Sequence, residues 1–286
     1  MISIYKDFDN PPKDLLGDNP KITKEVKLAL YDLYHGKCAY TEEKLAFEEM
    51  VVAHYRPVSL YPALEFEWSN LLPVSEQVNI LLSNNFPIDG EQVEESLLLN
   101  VENRKADSVC LLAEKPLLLH PEMDTPENHI TSTSNSIPFF NGHTKKGETT
   151  SQLLYGTFES GYNLLEKILA HRQDLIIPIF KALAKSLNDQ YTFDKSKGSI
   201  EHKNYESITR PYFKKLYPFF KADQEFSFAS KSYIEEQICN INRKKTDISE
   251  DLEVREIIFS NYYNFYPKNP TVQQEWDKNT SGGLFQ

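Results

Sequence analysis

Residues 51–87, VVAHYRPVSLYPALEFEWSNLLPVSEQVNILLSNNFP, constrain the fold of this chain more than any other stretch. The segment opens on an apolar run, Val51 to Ala53, that suits a short strand with His54 at its end. An apolar and aromatic stretch over 61–74 supplies a second strand-like run, and residues 76–84 read as a helix. Two strand-like runs joined by a loop and followed by a helix make a ββα unit.

Upstream, Val26, Leu28, Leu30, Leu33 and Tyr34 predict a short helix within 23–34 that stops at Gly36, where a left-handed cap costs little. The KCAYTEEKL stretch that follows reads as a tight turn before a hairpin. Between residues 90 and 121, SVCLLAEKPLLLHP fits either a strand or a buried loop. Residues 127–147 carry turn signals, Asn141-Gly142 among them, that fit a hairpin. From Thr149 the pattern turns helical: Leu164, Ile168, Leu175, Ile179 and Leu183 recur at helix spacing, with a kink expected at Pro178. Further helices are expected around 202–217, 230–243 and 251–262. The fold class is therefore α+β, a ββα module before a mainly helical body. Its parts are 1–90 (the ββα module with its N-terminal helix), 91–148 (a connecting β-rich segment) and 149–286 (a helical domain).

Composition narrows the function classes. A chain of 286 residues that is 40% hydrophobic, with 16 Tyr and 17 Phe, buries a sizeable core. Cys38, Cys110 and Cys239 are odd in number and far apart, so no disulfide framework is expected and a reducing cytoplasm is the natural setting. Neither a signal peptide nor a membrane span is read from the sequence. The net charge of −11 argues against a free-standing nucleic-acid binder, because phosphate binding needs clustered cations. Residues 1–90 carry 8 Lys or Arg against 14 Asp or Glu, so the ββα module shares this acidity.

The short motifs HGKCAY, VAHYRP, EFEWSNLLP and NNFP, followed by EKPLLLHPEMDTPENHI and GETTSQLLYG, occur in one order over about residues 30–175. Together they resemble the PtuB-like HNH endonucleases, the effectors of Septu and retron-type anti-phage systems. Several independent matches in order are far more specific than a lone His-Asn pattern. The resemblance implies a ββα scaffold holding one divalent metal beside a scissile phosphate. His54 then takes the position of the general base, Asn70 that of the asparagine orienting its ring, and Asn79 that of a metal ligand. It also implies an ATPase subunit as partner, DNA reached through that complex, and an oligomer.

Departures from the family pattern weigh against its chemistry. Cys38 is present, but Thr41, Ser75 and Val78 stand where the family has its other cysteines, so no structural zinc is expected. Ala53 replaces the acidic residue before the histidine, and a hard divalent cation needs carboxylate oxygen. Asn79 alone makes a feeble site; Glu48, Glu49 and Glu76 are conceivable substitutes that nothing in the sequence places. Leu82-Ser83 stands where the family has Lys-Gly. No cofactor is therefore expected, with Mg²⁺ or Mn²⁺ required only if nuclease activity is retained. The resulting reading is a catalytically degenerate subunit that serves an ATPase as a structural or regulatory partner. The alternative is an active nuclease with His54 as base.

Without the resemblance each feature has an ordinary reading. His54 is then a satisfied strand-end histidine, Trp68, Tyr61 and Phe66 are core, and Asn70 turns the backbone. His143, Lys145 and Lys146, between Gly142 and Gly147, form either an anion-binding turn or a solvated hairpin tip. Residues 202–221 mix Arg210, Lys214 and Lys215 with aromatics and read as a partner surface or as a helix with one wet face. Residues 240–245 are a basic helix end.

Overall fold

Thr23 accepts a hydrogen bond from the Val26 N–H and so starts α1, Lys24–Leu33, which buries Val26 and Leu30. Its end is fixed at Gly36, whose φ of +67° suits glycine and whose N–H reaches the Tyr31 carbonyl at 2.7 Å. The computed structural model describes residues 4–133, 139–155, 158–199 and 202–243. Two compact units make up the chain: Met1–Leu169 with Ala222–Ala229, and Ala170–Lys221 with Ser230–Gln286.

In the first unit a tight turn follows α1, closed by a bridge between Lys37 and Lys44 and by the Cys38 N–H on the Glu43 carbonyl at 3.0 Å. Glu42 holds the turn's left-handed position, at φ +59°. The chain then enters β1, Met50–His54, antiparallel to β2, Leu71–Ser75, in a register that pairs Ala53 with Leu72 and His54 with Leu71. Ser75 ends β2 and caps α2, Glu76–Leu82, by accepting the Val78 N–H at 3.3 Å. The helix packs against both strands. The turn is tied to the sheet where the Ala39 N–H meets the Pro73 carbonyl at 2.8 Å.

The loop between β1 and β2 is pinned from outside by charge. Arg56 is buried, with its Nε 2.9 Å from Glu114 and its Nη2 donating to the Leu111 carbonyl at 2.9 Å. The Tyr55, Tyr61 and Phe86 rings surround the guanidinium at 5.1–5.9 Å. Glu114 also accepts the Val93 N–H at 2.9 Å, so both buried charges are paired and hydrogen-bonded.

A second buried pair joins the N-terminal arm to the core. Lys6 lies 3.1 Å from Glu122 and donates to the Leu71 carbonyl at 2.7 Å, and the Tyr34 hydroxyl donates to Glu122 at 2.7 Å. Burial lowers the Lys6 pKa against the pull of Glu122, and the same burial raises that of Glu122.

Residues 108–121 are neither a strand nor a plain loop. Val109–Ala113 form a short helix, α3, after which Lys115 turns through φ +50° and Pro116 makes a single bridge to Ile88. Leu118 and Leu119 follow, fully buried. Apolar runs shared by helix and strand explain why pattern alone left this stretch open. A hairpin does form downstream, from β3, Ile130–Thr133, and β4, Phe139–Gly142. Asn141-Gly142 is not its turn but the end of β4, where a side chain at Gly142 would stand 2.1 Å from the Glu148 nitrogen. Lys145 and Lys146 likewise do not form a hairpin tip; they open α4, Lys145–Tyr155. After α4 comes α5, Phe158–His171.

The segment Ala222–Ala229 returns to the turn after α1. Glu42 accepts the Ser227 hydroxyl at 2.8 Å and the Phe228 N–H at 2.9 Å, while Lys37 donates to the Gln224 carbonyl at 3.0 Å. An acidic group placed on these N–H donors caps the start of α8, Ser227–Arg243.

The second unit is helical. A π-helical turn, Arg172–Ile176, leads into α6, Ile177–Lys197, which packs on α7, His202–Leu216, around Leu183, Leu187, Tyr205, Phe213 and Ile234. Pro178 falls in the first turn of α6, where proline is tolerated, so the irregularity precedes it in the π-helical turn. Arg172 is buried 4.8 Å from the Tyr233 ring, and burial lowers its pKa to about 10. The helix expected over 251–262 lies outside the described residues. Among the described residues no helix is long and apolar enough to cross a membrane.

Removing one member of a buried, fully bonded pair strands the other charge. Arg56→Ala is therefore expected to lower unfolding stability by about 3–5 kcal/mol, and Glu114→Ala by a similar amount. The double variant is expected to be clearly less destabilised than the sum, read from urea unfolding curves.

Candidate functional site

His54 ends β1 half-buried, and its Nε2 lies 2.9 Å from the Glu65 carbonyl. A carbonyl only accepts, so Nε2 carries the proton and Nδ1 keeps its lone pair. Burial lowers the His54 pKa, opposed by the Glu65 backbone bond and carboxylate.

Asn70 does not bond the ring directly. It is buried, with Oδ1 accepting the Arg56 N–H at 2.7 Å and Nδ2 donating to the Arg56 and Leu64 carbonyls, each at 3.1 Å. Leu64 neighbours Glu65, whose carbonyl holds His54, so the two contacts fall on adjacent residues of one loop. The surrounding motif is structural in the same sense. Trp68 Nε1 donates to the Asp7 carbonyl at 3.2 Å, and Ser69 Oγ accepts the Ala106 N–H at 2.9 Å. Glu65 carried no sequence signal, because its contribution is a backbone oxygen.

The residues at the expected zinc positions do come together. Thr41, Ser75 and Val78 line one small cavity of about 10 Å³ together with Leu81, Leu154, Leu164, Gln77 and the ion-paired Glu43 and Lys167, and Cys38 lies buried in the preceding turn. Only Cys38 among them has a sulfur donor, and Ser75 spends its oxygen on the α2 cap. Such a donor set does not fit a structural zinc, which takes four N or S ligands.

The expected divalent-metal position does not fit its ion either. Ala53 is 2% exposed and packed in the core. Asn79 sits half-buried on α2, while Glu48, Glu49 and Glu76 are exposed. Among the described residues no three His, Cys, Asp or Glu side chains come together as a metal site.

No family model matches the chain, and no solved structure matches it. Among curated proteins it is 27% identical over 161 residues to Septu protein PtuB of Bacillus thuringiensis, covering 51% of each chain. It is 29% identical over 176 residues to Septu protein PtuA of Bacillus mycoides strain KBAB4, covering 54% of this chain and 23% of that one. A PtuB of the same strain is 30% identical over 142 residues, 44% of each. The chain is similar to Septu proteins. It spans about half the length or less of these relatives.

A further histidine, which sequence reading left aside, sits behind the hairpin. His120 is 2% exposed, accepts the Glu122 N–H at Nδ1 and places Nε2 3.3 Å from the Ser69 carbonyl. Tyr55 packs on its ring at 4.3 Å. Burial, reinforced by the positive charges of Lys6 and Arg56, pushes its pKa well below the ordinary 6.5.

Two outcomes are expected from these arrangements. Asn70→Ala leaves buried backbone groups of Arg56 and Leu64 unsatisfied, so it is expected to cost about 2–4 kcal/mol and to shift the His54 titration measured by NMR. The unfolded chain protonates His120 below its ordinary value while the folded chain does not, so protons favour unfolding there. The urea midpoint is therefore expected to fall as pH drops from neutral through about 6.5. His120→Gln is expected to flatten that fall.

Proposed function

We propose that this protein is a subunit of a bacterial anti-phage defence system, built on an HNH-like ββα scaffold and acting as a structural or regulatory partner of an ATPase rather than as a nuclease. Its similarity to Septu proteins PtuA and PtuB supports the defence setting and a multi-subunit assembly. One observation carries the degenerate reading: the positions that handle metal in the HNH pattern hold Ala53, Thr41, Ser75 and Val78, none of which offers a thiolate, imidazole or carboxylate. The asparagine and aromatic framework meanwhile serves backbone geometry. DNA enters through the complex, since an acidic chain draws no duplex by itself.

The second reading, an active metal-dependent nuclease, is favoured by His54 alone. Its Nε2 is fixed on a carbonyl, and burial lowers its pKa, which favours the neutral ring whose Nδ1 can take a proton from water. On that reading Asn79 and a carboxylate from another subunit hold Mg²⁺ or Mn²⁺.

Plasmid incubated with the purified protein and Mg²⁺ or Mn²⁺, with and without its ATPase partner, separates the two. The expected result is the same background cleavage for the wild type and His54→Ala, with phage protection retained by the variant. Cleavage abolished by His54→Ala would overturn the degenerate reading.

A further inference from the structure

On the side of β1 where Tyr55 lies, the first unit contains a cleft of about 560 Å³. That volume falls in the range of about 300–1,000 Å³ that small-molecule sites occupy. The cleft has two chemically distinct parts. Leu112, Pro116, Leu117 and Met123 give it an apolar lining, of which Leu112 and Met123 are exposed to solvent. Lys115, Lys145 and Lys146 give it a cationic rim in a protein whose net charge is −11.

Each lysine is held in place. Lys145 pairs with Asp89, and Lys146 lies 2.6 Å from Asp124, which in turn accepts the His120 N–H at 2.7 Å. Lys115 has no ion pair among the described residues, and its backbone sits at φ +50°, a costly conformation for a residue with a Cβ. Two hydrogen bonds keep it there: its N–H donates to the Leu112 carbonyl at 3.0 Å, and its carbonyl accepts the Asp89 N–H at 3.1 Å. After the two ion pairs are counted, and with Arg56 neutralised by Glu114, the lining keeps a positive excess.

We propose that this cleft binds a nucleoside phosphate, with Lys115, Lys145 and Lys146 on the phosphates and the apolar lining residues against the base. Lysines act as point charges toward phosphate, and apolar side chains accept a flat ring. A duplex is the poorer fit. It needs cations spread along a stripe, whereas these converge on one concavity beside a module that is itself acidic. The cleft is separate from His54 and does not rest on the functional reading above.

The test is calorimetric titration of the full chain with ATP, AMP, adenosine and a short oligothymidylate. ATP is expected to bind, with adenosine weaker by about tenfold or more. Lys115→Glu and Lys145→Gln are each expected to weaken ATP by about tenfold at an unchanged urea midpoint, while His54→Ala leaves its affinity as it was. No ATP binding at millimolar concentration overturns the proposal. So does ATP affinity unchanged in both lysine variants, or binding of the oligonucleotide without the mononucleotides.

Discussion

The buried contact between Arg56 and Glu114 is the constraint around which the first unit is arranged. Neither charge tolerates burial alone, so each dictates what surrounds it. Arg56 draws in the Leu111 carbonyl and three aromatic rings, and Glu114 takes the Val93 N–H. One ion pair thus sets where the β1–β2 loop, the stretch after α2 and α3 meet. It also fixes the backbone just before Lys115, whose left-handed turn shapes the mouth of the cleft.

Around His54 the same logic operates through neutral groups. Asn70 makes three hydrogen bonds to the backbone of the loop it closes, and the carbonyl beside one of them holds the imidazole. An asparagine so used keeps its place for architectural reasons, whatever becomes of the chemistry beside it. Thr41 and Ser75 are likewise spent on the backbone, accepting the Glu43 and Val78 N–H groups, while Val78 only packs.

The elements with strong local signals were readable from the sequence. Thr23 and Gly36 bracket α1, and the helices over 202–216 and 227–243 follow apolar periodicity. Less readable were features that depend on distant partners. Asn141-Gly142 has the composition of a turn, yet it ends a strand because Glu148 must approach Gly142 closely. The run from Val109 to Leu119 is apolar in a way common to helix and strand, and Glu114 and Arg56 decided the outcome from far apart in sequence. At the site, His54 and Asn70 were legible as a motif. Glu65 was not, because backbone atoms leave no trace in side-chain identity, and buried His120 stood out only once its neighbours were placed.

The bonds from Glu42 and Lys37 to residues 224–228 mean that the first unit is not a continuous piece of chain. Its last portion is made long after its first, with all of Ala170–Lys221 synthesised in between. During translation the turn after α1 gains its contacts with this segment only once residue 228 has left the ribosome. A fragment cut at the apparent boundary near residue 170 would carry every recognisable motif and still lack the stitch that completes its fold.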